Sequence, residues 1–277
     1  MRPAAARTVT SVIALAVMLA AGPVLAQSAQ DRRTCEGEDG ASAAQQRVDA
    51  CSAVIKGGRD KGEKLAEAHN NRGISYRMKG DIDLAIQEYS QAIKLNGKFA
   101  SAYNNRGVAY DRKGDYERAI QDYEQAIKLK PSAEVYFNRG NAQLAKSQYA
   151  AAIDDYNQAL KLRPDLNGAI DNRCWARAVV GVLKQALADC NEALRLSPGN
   201  LGTRASRAFV FLKMTHFDAA VSDFDAVLHS EPKQPFGLYG RGLARMRNED
   251  PSGEEDIAAA KALQADIAEE YSRYGVQ

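Results

Sequence analysis

Histidine is scarce in this chain. His69, His216 and His229 are the only three in 277 residues, and none stands three or four positions from another, the spacing that sets two ligands on one helix face. The metalloprotease helix motif, a Gly-rich phosphate-cradling loop and a nucleophile elbow are all missing. Acidic residues are plentiful, but no carboxylate pair is singled out by the pattern. An enzyme, such as a glycan hydrolase, would have to assemble its site from distant segments, so catalysis is only a remote alternative and no cofactor is expected. Excess positive charge is lacking too. The formal net charge is +2, from 37 Lys and Arg against 35 Asp and Glu, and no long basic run concentrates it, which argues against nucleic acid as a partner. Long apolar runs are absent beyond the first 26 residues, so no later segment is read as a membrane span.

What those 26 residues do contain is a leader. Arg2 and Arg7 form a positive start, Val12 to Ala21 is weakly apolar, Gly22-Pro23 breaks the run, and Val24-Leu25-Ala26 offers small residues where a signal peptidase reads. This pattern predicts a secretory signal peptide cut after Ala26, and hence a periplasmic or secreted protein with no stable membrane insertion. The competing reading is an uncut anchor, for which the apolar core is short. Loss of Arg2 and Arg7 with the leader takes the 37 bases to 35, equal to the 35 acids.

The remainder is organised by self-similarity. Asn71-Arg72-Gly73 recurs as Asn105-Arg106-Gly107, Asn138-Arg139-Gly140 and Asn172-Arg173-Cys174, then degrades to Ser206-Arg207-Ala208 and Gly240-Arg241-Gly242; the arginines step by 34, 33, 34, 34 and 34 residues. A fixed period of this size means stacked supersecondary units. Within one unit, Ala102 to Lys113 and Tyr116 to Leu129 each carry apolar residues at steps of three and four, with Gly114-Asp115 between them and Pro131 after them, the marks of two amphipathic helices and their ends. Neither helix can bury its stripe alone, so stacking completes the core.

Gly73, Tyr76, Ala85, Tyr89, Ala92 in the first unit and Gly107, Tyr110, Ala119, Tyr123, Ala126, Pro131 in the second resemble the tetratricopeptide repeat. Gly140, Ala152, Tyr156, Ala159, Pro164 continue it; so do Ala186, Ala193, Pro198, then Ala220, Phe224, Pro232. The sixth unit keeps Gly242 but is irregular around Asp250-Pro251-Ser252-Gly253. The resemblance implies an all-α solenoid, a right-handed superhelix of helix-turn-helix repeats over residues 63–277. Six repeats are expected there, with Ile267 to Tyr274 as a terminal capping helix. Residues 27–62 read as a degenerate amino-terminal hairpin followed by a loop at Gly57-Gly58-Arg59-Asp60-Lys61-Gly62.

The four cysteines form two equally spaced pairs, Cys35 with Cys51 and Cys174 with Cys190, each 16 residues apart. On one straight helix that gap spans ~24 Å, far beyond the ~4.4–6.8 Å between Cα atoms that a disulfide tolerates, whereas a helix that turns back brings them together. In the repeat frame Cys174 and Cys190 replace a Gly and an aromatic that pack together elsewhere. A disulfide is therefore expected in each hairpin, the first hairpin being weakened by Gly37 and Gly40. Four buried free thiols, a metal site or a redox pair are the alternatives; the last two lack the close Cys spacing they need.

By the same resemblance, the first helix of each unit lines the concave side. Asn71, Asn105, Asn138 and Asn172 share one slot there, and a row of primary amides matches the donors and acceptors of an extended peptide backbone; the other reading is that this Asn serves the repeat's own packing. Ile74, Val108, Asn141, Trp175, Phe209 and Leu243 lie three residues on, an apolar middle, while Arg77 and Arg112 make the amino end cationic. Trp175, the single Trp, is either an exposed anchor or core packing. Arg72, Arg106, Arg139, Arg173, Arg207 and Arg241 face Glu88, Asp122, Asp155, Asp189 and Asp223 almost one for one, which favours a structural ion-pair row over an anion-binding face. The expected function is an adaptor holding a protein or peptide ligand in its groove. The alternative is a structural component of cell-envelope assembly that uses its outer face.

Overall fold

The computed structural model describes residues 27–37 and 43–276. The leader expected over residues 1–26, with its cut after Ala26, lies outside the described residues, as does Gly40. The described residues form fifteen helices and no strand, so the class is all-α, and none of these helices is long and apolar enough to cross a membrane. The chain divides into two compact units between Lys130 and Pro131.

In the first unit, α1 covers 27–36 and pairs through a disulfide with α2 (Ala44–Lys56); α3 (Gly62–Lys79) pairs with α4 (Ile82–Leu95), and α5 (Ala100–Arg112) with α6 (Tyr116–Leu129). In the second unit the hairpins are α7 (Ala133–Ala145) with α8 (Tyr149–Leu162), α9 (Asn167–Val179) with α10 (Leu183–Leu196), α11 (Leu201–Lys213) with α12 (Phe217–Ser230), and α13 (Pro235–Arg247) with α14 (Gly253–Leu263). The short α15 (Ile267–Arg273) ends it. Side chains start several of these helices: Asp115 accepts from the Arg118 amide, Ser132 from Val135 and Asn200 from Thr203, each satisfying an amide that the first turn leaves open.

Every hairpin from α3 onward turns through one residue in the left-handed region. Gly80, Gly114 and Gly181 do so with φ of 87°, 75° and 84°, and Ser147, Thr215 and Glu249 with φ of 57°, 61° and 61°. Glycine takes this conformation without a Cβ clash, whereas side-chain-bearing residues are strained there, a β-branched one most.

The helices of a hairpin meet where the smallest residue faces the largest ring. Gly73 lies against Tyr89, Gly107 against Tyr123 and Gly140 against Tyr156, so closely that a Cβ on any of these glycines would stand 2.7 Å from the ring. All three tyrosines are fully buried. Cys174 and Cys190 occupy that same contact with a disulfide, Cα atoms 5.3 Å apart, and Cys35 and Cys51 do so in the first hairpin with Cα atoms 4.7 Å apart. None of the four is a free thiol. In the last hairpin Gly242 faces Ile257, in the place of the ring, and the Gly253 backbone, since a Cβ on Gly242 would stand 2.8 Å from the Ile257 side chain and 2.7 Å from the Gly253 carbonyl.

Two outcomes follow. Thr215→Gly should raise stability by about 1 kcal/mol, read as a higher urea midpoint at unchanged slope, because the relieved left-handed strain exceeds the added freedom of the unfolded glycine. Replacing both Cys174 and Cys190 by Ala should lose ~3 kcal/mol. The pair Cys174→Gly with Cys190→Tyr, which rebuilds the ordinary contact, should recover about 2 kcal/mol of that by ring burial. Equal midpoints for the two double variants would refute the equivalence of the contacts.

Candidate functional site

The first helices of successive hairpins touch one another, α3 with α5 in the first unit and α7, α9, α11 and α13 in sequence in the second; the second helices of successive hairpins make no such contact. Within each unit the first-helix side is therefore the tighter, inner side, and it carries the residues expected to face a ligand.

An arginine in each first helix from α3 onward positions that side. Arg106 donates from Nε and Nη2 to the Asp122 carboxylate, both at 2.8 Å, while its Nη1 reaches back to Ser90 Oγ at 3.0 Å in the preceding hairpin. Arg173 holds Asp189 and reaches Asn157 Oδ1 at 2.8 Å; Arg207 holds Asp223 and reaches Asn191 Oδ1 at 2.9 Å; Arg241 holds Asp256 and reaches Asp225 Oδ1 at 2.7 Å. Arg139 holds Asp155 in the same two-pronged way. Arg72 bonds Glu88 at 2.7 Å and reaches Ser52 Oγ at 3.0 Å. The aspartates are buried, so these are structural ion pairs and not an open anion-binding face. The backward reach was not read from the sequence, although its signal is present: Ser90, Asn157, Asn191 and Asp225 each stand two residues after the acidic slot and 16 before the arginine they meet.

Glu88 shares its carboxylate between Arg72 and His69, whose Nδ1 lies 2.8 Å from Oε2. Burial alone pushes this carboxyl up, but the bonds from His69 and Arg72 outweigh it and hold the group below its ordinary range. Burial dominates at two other acids. Asp111 is raised although the Tyr123 hydroxyl donates to it at 3.2 Å, and Asp171 is raised although Thr203 donates at 2.7 Å and Asn200 at 3.4 Å.

The asparagines of the repeated slot are half-buried on the inner side. Asn105 Nδ2 donates to Asn70 Oδ1 at 2.9 Å, and Asn70 in turn to Asn71 Oδ1 at 3.4 Å. In the second unit Asn172 Nδ2 donates to Asn141 Oδ1 at 2.8 Å, an oxygen that also accepts from the Tyr156 hydroxyl at 2.9 Å. Asn138 stands on α7 in the same slot. Asn105 and Asn172 thus each commit one amide N–H to the preceding first helix, through Asn70 and Asn141, whose role was not foreseen. One N–H and the carbonyl oxygen of each amide stay outside that bond. Arg112 is exposed at the end of α5 and Arg77 half-buried near the end of α3, so the inner side of the first unit carries cationic and amide groups together.

The second unit differs. Trp175 is half-buried, its ring 5.3 Å from Phe209, 5.7 Å from Phe236 and 5.0 Å from Tyr274. Tyr271 is fully buried, and its hydroxyl donates to the Phe236 carbonyl at 2.7 Å. Lys213 donates to the carbonyls of Ala178, Val179 and Tyr274 at 2.9, 3.1 and 2.7 Å, and burial pulls its ammonium below the ordinary lysine value. Residues 267–276 therefore lie over Trp175, Phe209 and Phe236, which belong to three successive first helices.

Family models described as tetratricopeptide repeat match residues 100–132, 133–166 and 207–270, and one described as TPR repeat matches residues 73–114. Among solved structures, a tetratricopeptide repeat protein from Parabacteroides merdae superposes with a TM-score of 0.61 at 16% identity, over 90% of this chain and 98% of that one. PilF of Pseudomonas aeruginosa gives 0.60 at 18% identity, over 76% and 99%. YrrB, described as a TPR protein with an unusual peptide-binding site, gives 0.55 at 23% identity, over 67% and 97%. At these identities the likeness is one of fold. No curated protein sequence matches the chain.

Arg106→Met should cost about 3 kcal/mol in urea unfolding, the low end for a broken buried pair because the guanidinium keeps some contact with water. Glu88 has its own pH signature. Its carboxyl titrates lower folded than unfolded, so the stability it lends is complete above the ordinary glutamate value of 4.5 and disappears as the pH falls through the lower folded value. Glu88→Gln should flatten the stability-pH curve in that acid window and nowhere else; an unchanged curve would contradict the assignment.

Proposed function

The chain belongs to the tetratricopeptide-repeat family, and from that premise we propose that it is a non-catalytic adaptor that holds an extended peptide, or the tail of a partner protein, against the inner side of its first helices. Proteins of this family are in general interaction scaffolds. The single observation that carries the reading here is the amide row, in which Asn105 and Asn172 are oriented by a bond to the preceding first helix. An amide fixed in this way has lost its freedom before a ligand arrives, so less ordering opposes binding. Its remaining donor and acceptor suit a peptide backbone whatever the side chains, and Asn71 and Asn138 extend the same chemistry. Arg77 and Arg112 favour a ligand carrying acidic groups at the first unit. The export reading agrees with two disulfides, which persist in oxidising compartments.

The reading predicts binding of unstructured peptides with little sequence preference, measured by fluorescence anisotropy of a labelled peptide panel. Asn105→Ala or Asn138→Ala should weaken binding about fivefold each, the worth of one hydrogen bond, and N-methylation of the peptide backbone should weaken it similarly. A substitution on the outer side, such as Gln158→Ala, should change nothing. Insensitivity to both asparagines, with loss of capture on outer-side substitution, would instead favour the structural envelope role.

A further inference from the structure

Residues 267–276 do something that a terminal cap does not need to do. A cap has to cover the open end of the stack, the exposed side of α13 and α14. Residues 267–276 do touch both, but they also run back to α9, where the Tyr274 ring stands edge-on to Trp175 at 5.0 Å, and to α11, where Phe209 meets Tyr271 at 5.6 Å. Trp175 and Phe209 stand three residues after the amide slot, at the same positions as Ile74 and Val108 on the inner side of the first unit. The carboxy-terminal segment therefore lies on the inner side itself, over positions that a bound peptide would contact.

The way it is held is that of a ligand in a pocket. Tyr271 enters a slot that exists because residue 240 is a glycine; a Cβ there would collide with the Phe224 ring and with the Tyr271 hydroxyl. The slot is closed by one directional bond, from that hydroxyl to the Phe236 carbonyl at 2.7 Å. Three residues on, Tyr274 packs its ring on Trp175 and offers its carbonyl to Lys213 at 2.7 Å. Val276 is buried behind it. The helix carrying Tyr271, with Tyr274 at its C-cap, has seven residues, far fewer than a helix needs to stand alone in water, so its order depends on the face it covers.

We propose that the inner side of the second unit is a receptor site for a short segment bearing two tyrosines three residues apart, and that Tyr271 to Val276 is its resident occupant, exchangeable for a partner segment of the same chemistry. This rests on the reading that the inner side binds peptide and specifies the ligand for one unit: aromatic and helical here, extended and polar at the first unit. The recognition elements are the Gly240 slot with the Phe236 carbonyl, the Trp175 ring, and the Lys213 ammonium as donor to the carbonyl of the second tyrosine.

The test uses the full chain. In the unmodified protein, amides of residues 270–276 should exchange with deuterium at least ~100-fold faster than those of α11, because a displaceable segment opens without the rest of the unit. Tyr274→Ala should shift the emission of Trp175, the chain's single Trp, to longer wavelength while the helical circular dichroism is kept. A synthetic peptide of residues 266–277 should then reverse that shift, and the same peptide with Ala at both tyrosine positions should not. The proposal is overturned by segment amides as protected as α11, by an unchanged Trp175 emission, by a peptide without effect, or by loss of helical signal in Tyr274→Ala, since a segment that holds the unit together is core and not ligand. Each of these results leaves peptide binding at Asn105 in the first unit to be measured separately, so failure here is distinguishable from failure of the adaptor reading.

Discussion

The guanidinium fork of each first-helix arginine is the constraint from which the rest follows. In Arg106, Arg173, Arg207 and Arg241 two N–H groups close a hairpin onto its own acid, and a third ties that hairpin to the one before. In Arg106 the two reaches have equal length in sequence, 16 residues forward to Asp122 and 16 back to Ser90. One planar group thus sets both the closure of a hairpin and the spacing to its neighbour. Lysine would serve neither purpose as well, since a point charge on a flexible stem cannot hold two oxygens in fixed directions. The bond also tolerates insertions outside it. Arg72 reaches Ser52 across 20 residues, four more than elsewhere, and the loop between α2 and α3 takes up the difference while Ser52 still stands beside Cys51 as Ser90 stands beside Tyr89. The disulfide-closed first hairpin is in register with the others for that reason.

With the spacing fixed, equivalent first-helix positions recur side by side, and their chemistry decides what each unit can hold. In the first unit the amides of Asn70, Asn71 and Asn105 are linked to one another beside Arg77 and Arg112. In the second, Asn141 and Asn172 form a similar link, but the positions further along α9 and α11 are Trp175 and Phe209, and the chain's own end lies on them. Polar bridges between successive first helices, Thr203 to Asp171 and Lys213 to the carbonyls ending α9, take over where the asparagines stop. The loss of Asn from the slot at Ser206 and Gly240 coincides with this change of surface.

Much of the fold was legible because a repeat displays each interaction several times. The arginine spacing, the paired helices, both disulfides and the arginine-to-acid row all follow from comparing units. The unread features are those that depend on one unit alone or on what lies between units. Ser147, Thr215 and Glu249 share the turn position of Gly80, Gly114 and Gly181, yet nothing in their side chains announces a left-handed backbone; the position dictates it. The bridging roles of Asn70 and Asn141 were not read because the two act across neighbouring helices and occupy different slots. The return of residues 267–276 over Trp175 was invisible for a further reason: a helical pattern reports which face is apolar and not which surface that face will meet.

The contact between the two helices of a hairpin carries the argument one step further. It is made by Gly with Tyr three times, by a disulfide twice and once by Gly242 with Ile257 and the Gly253 backbone, and in the α11–α12 hairpin Ala208 and Phe224 stand at its place, both fully buried in one core cluster. Such different chemistries are interchangeable there because the arginine fork sets the spacing independently, and the contact has only to fill the volume left. A covalent bond becomes useful where the fork is missing or the aromatic is lost. The first hairpin has Thr34 and Ala50 in the places of the arginine and its acid, and Cys35–Cys51 supplies the closure they cannot. At Cys174–Cys190 the fork is intact but the Gly–Tyr contact is gone, and that hairpin carries Trp175, on which the second unit's inner surface is built. In the first case the disulfide replaces the electrostatic closure, and in the second it replaces the packing beneath a surface residue that has to stay in place.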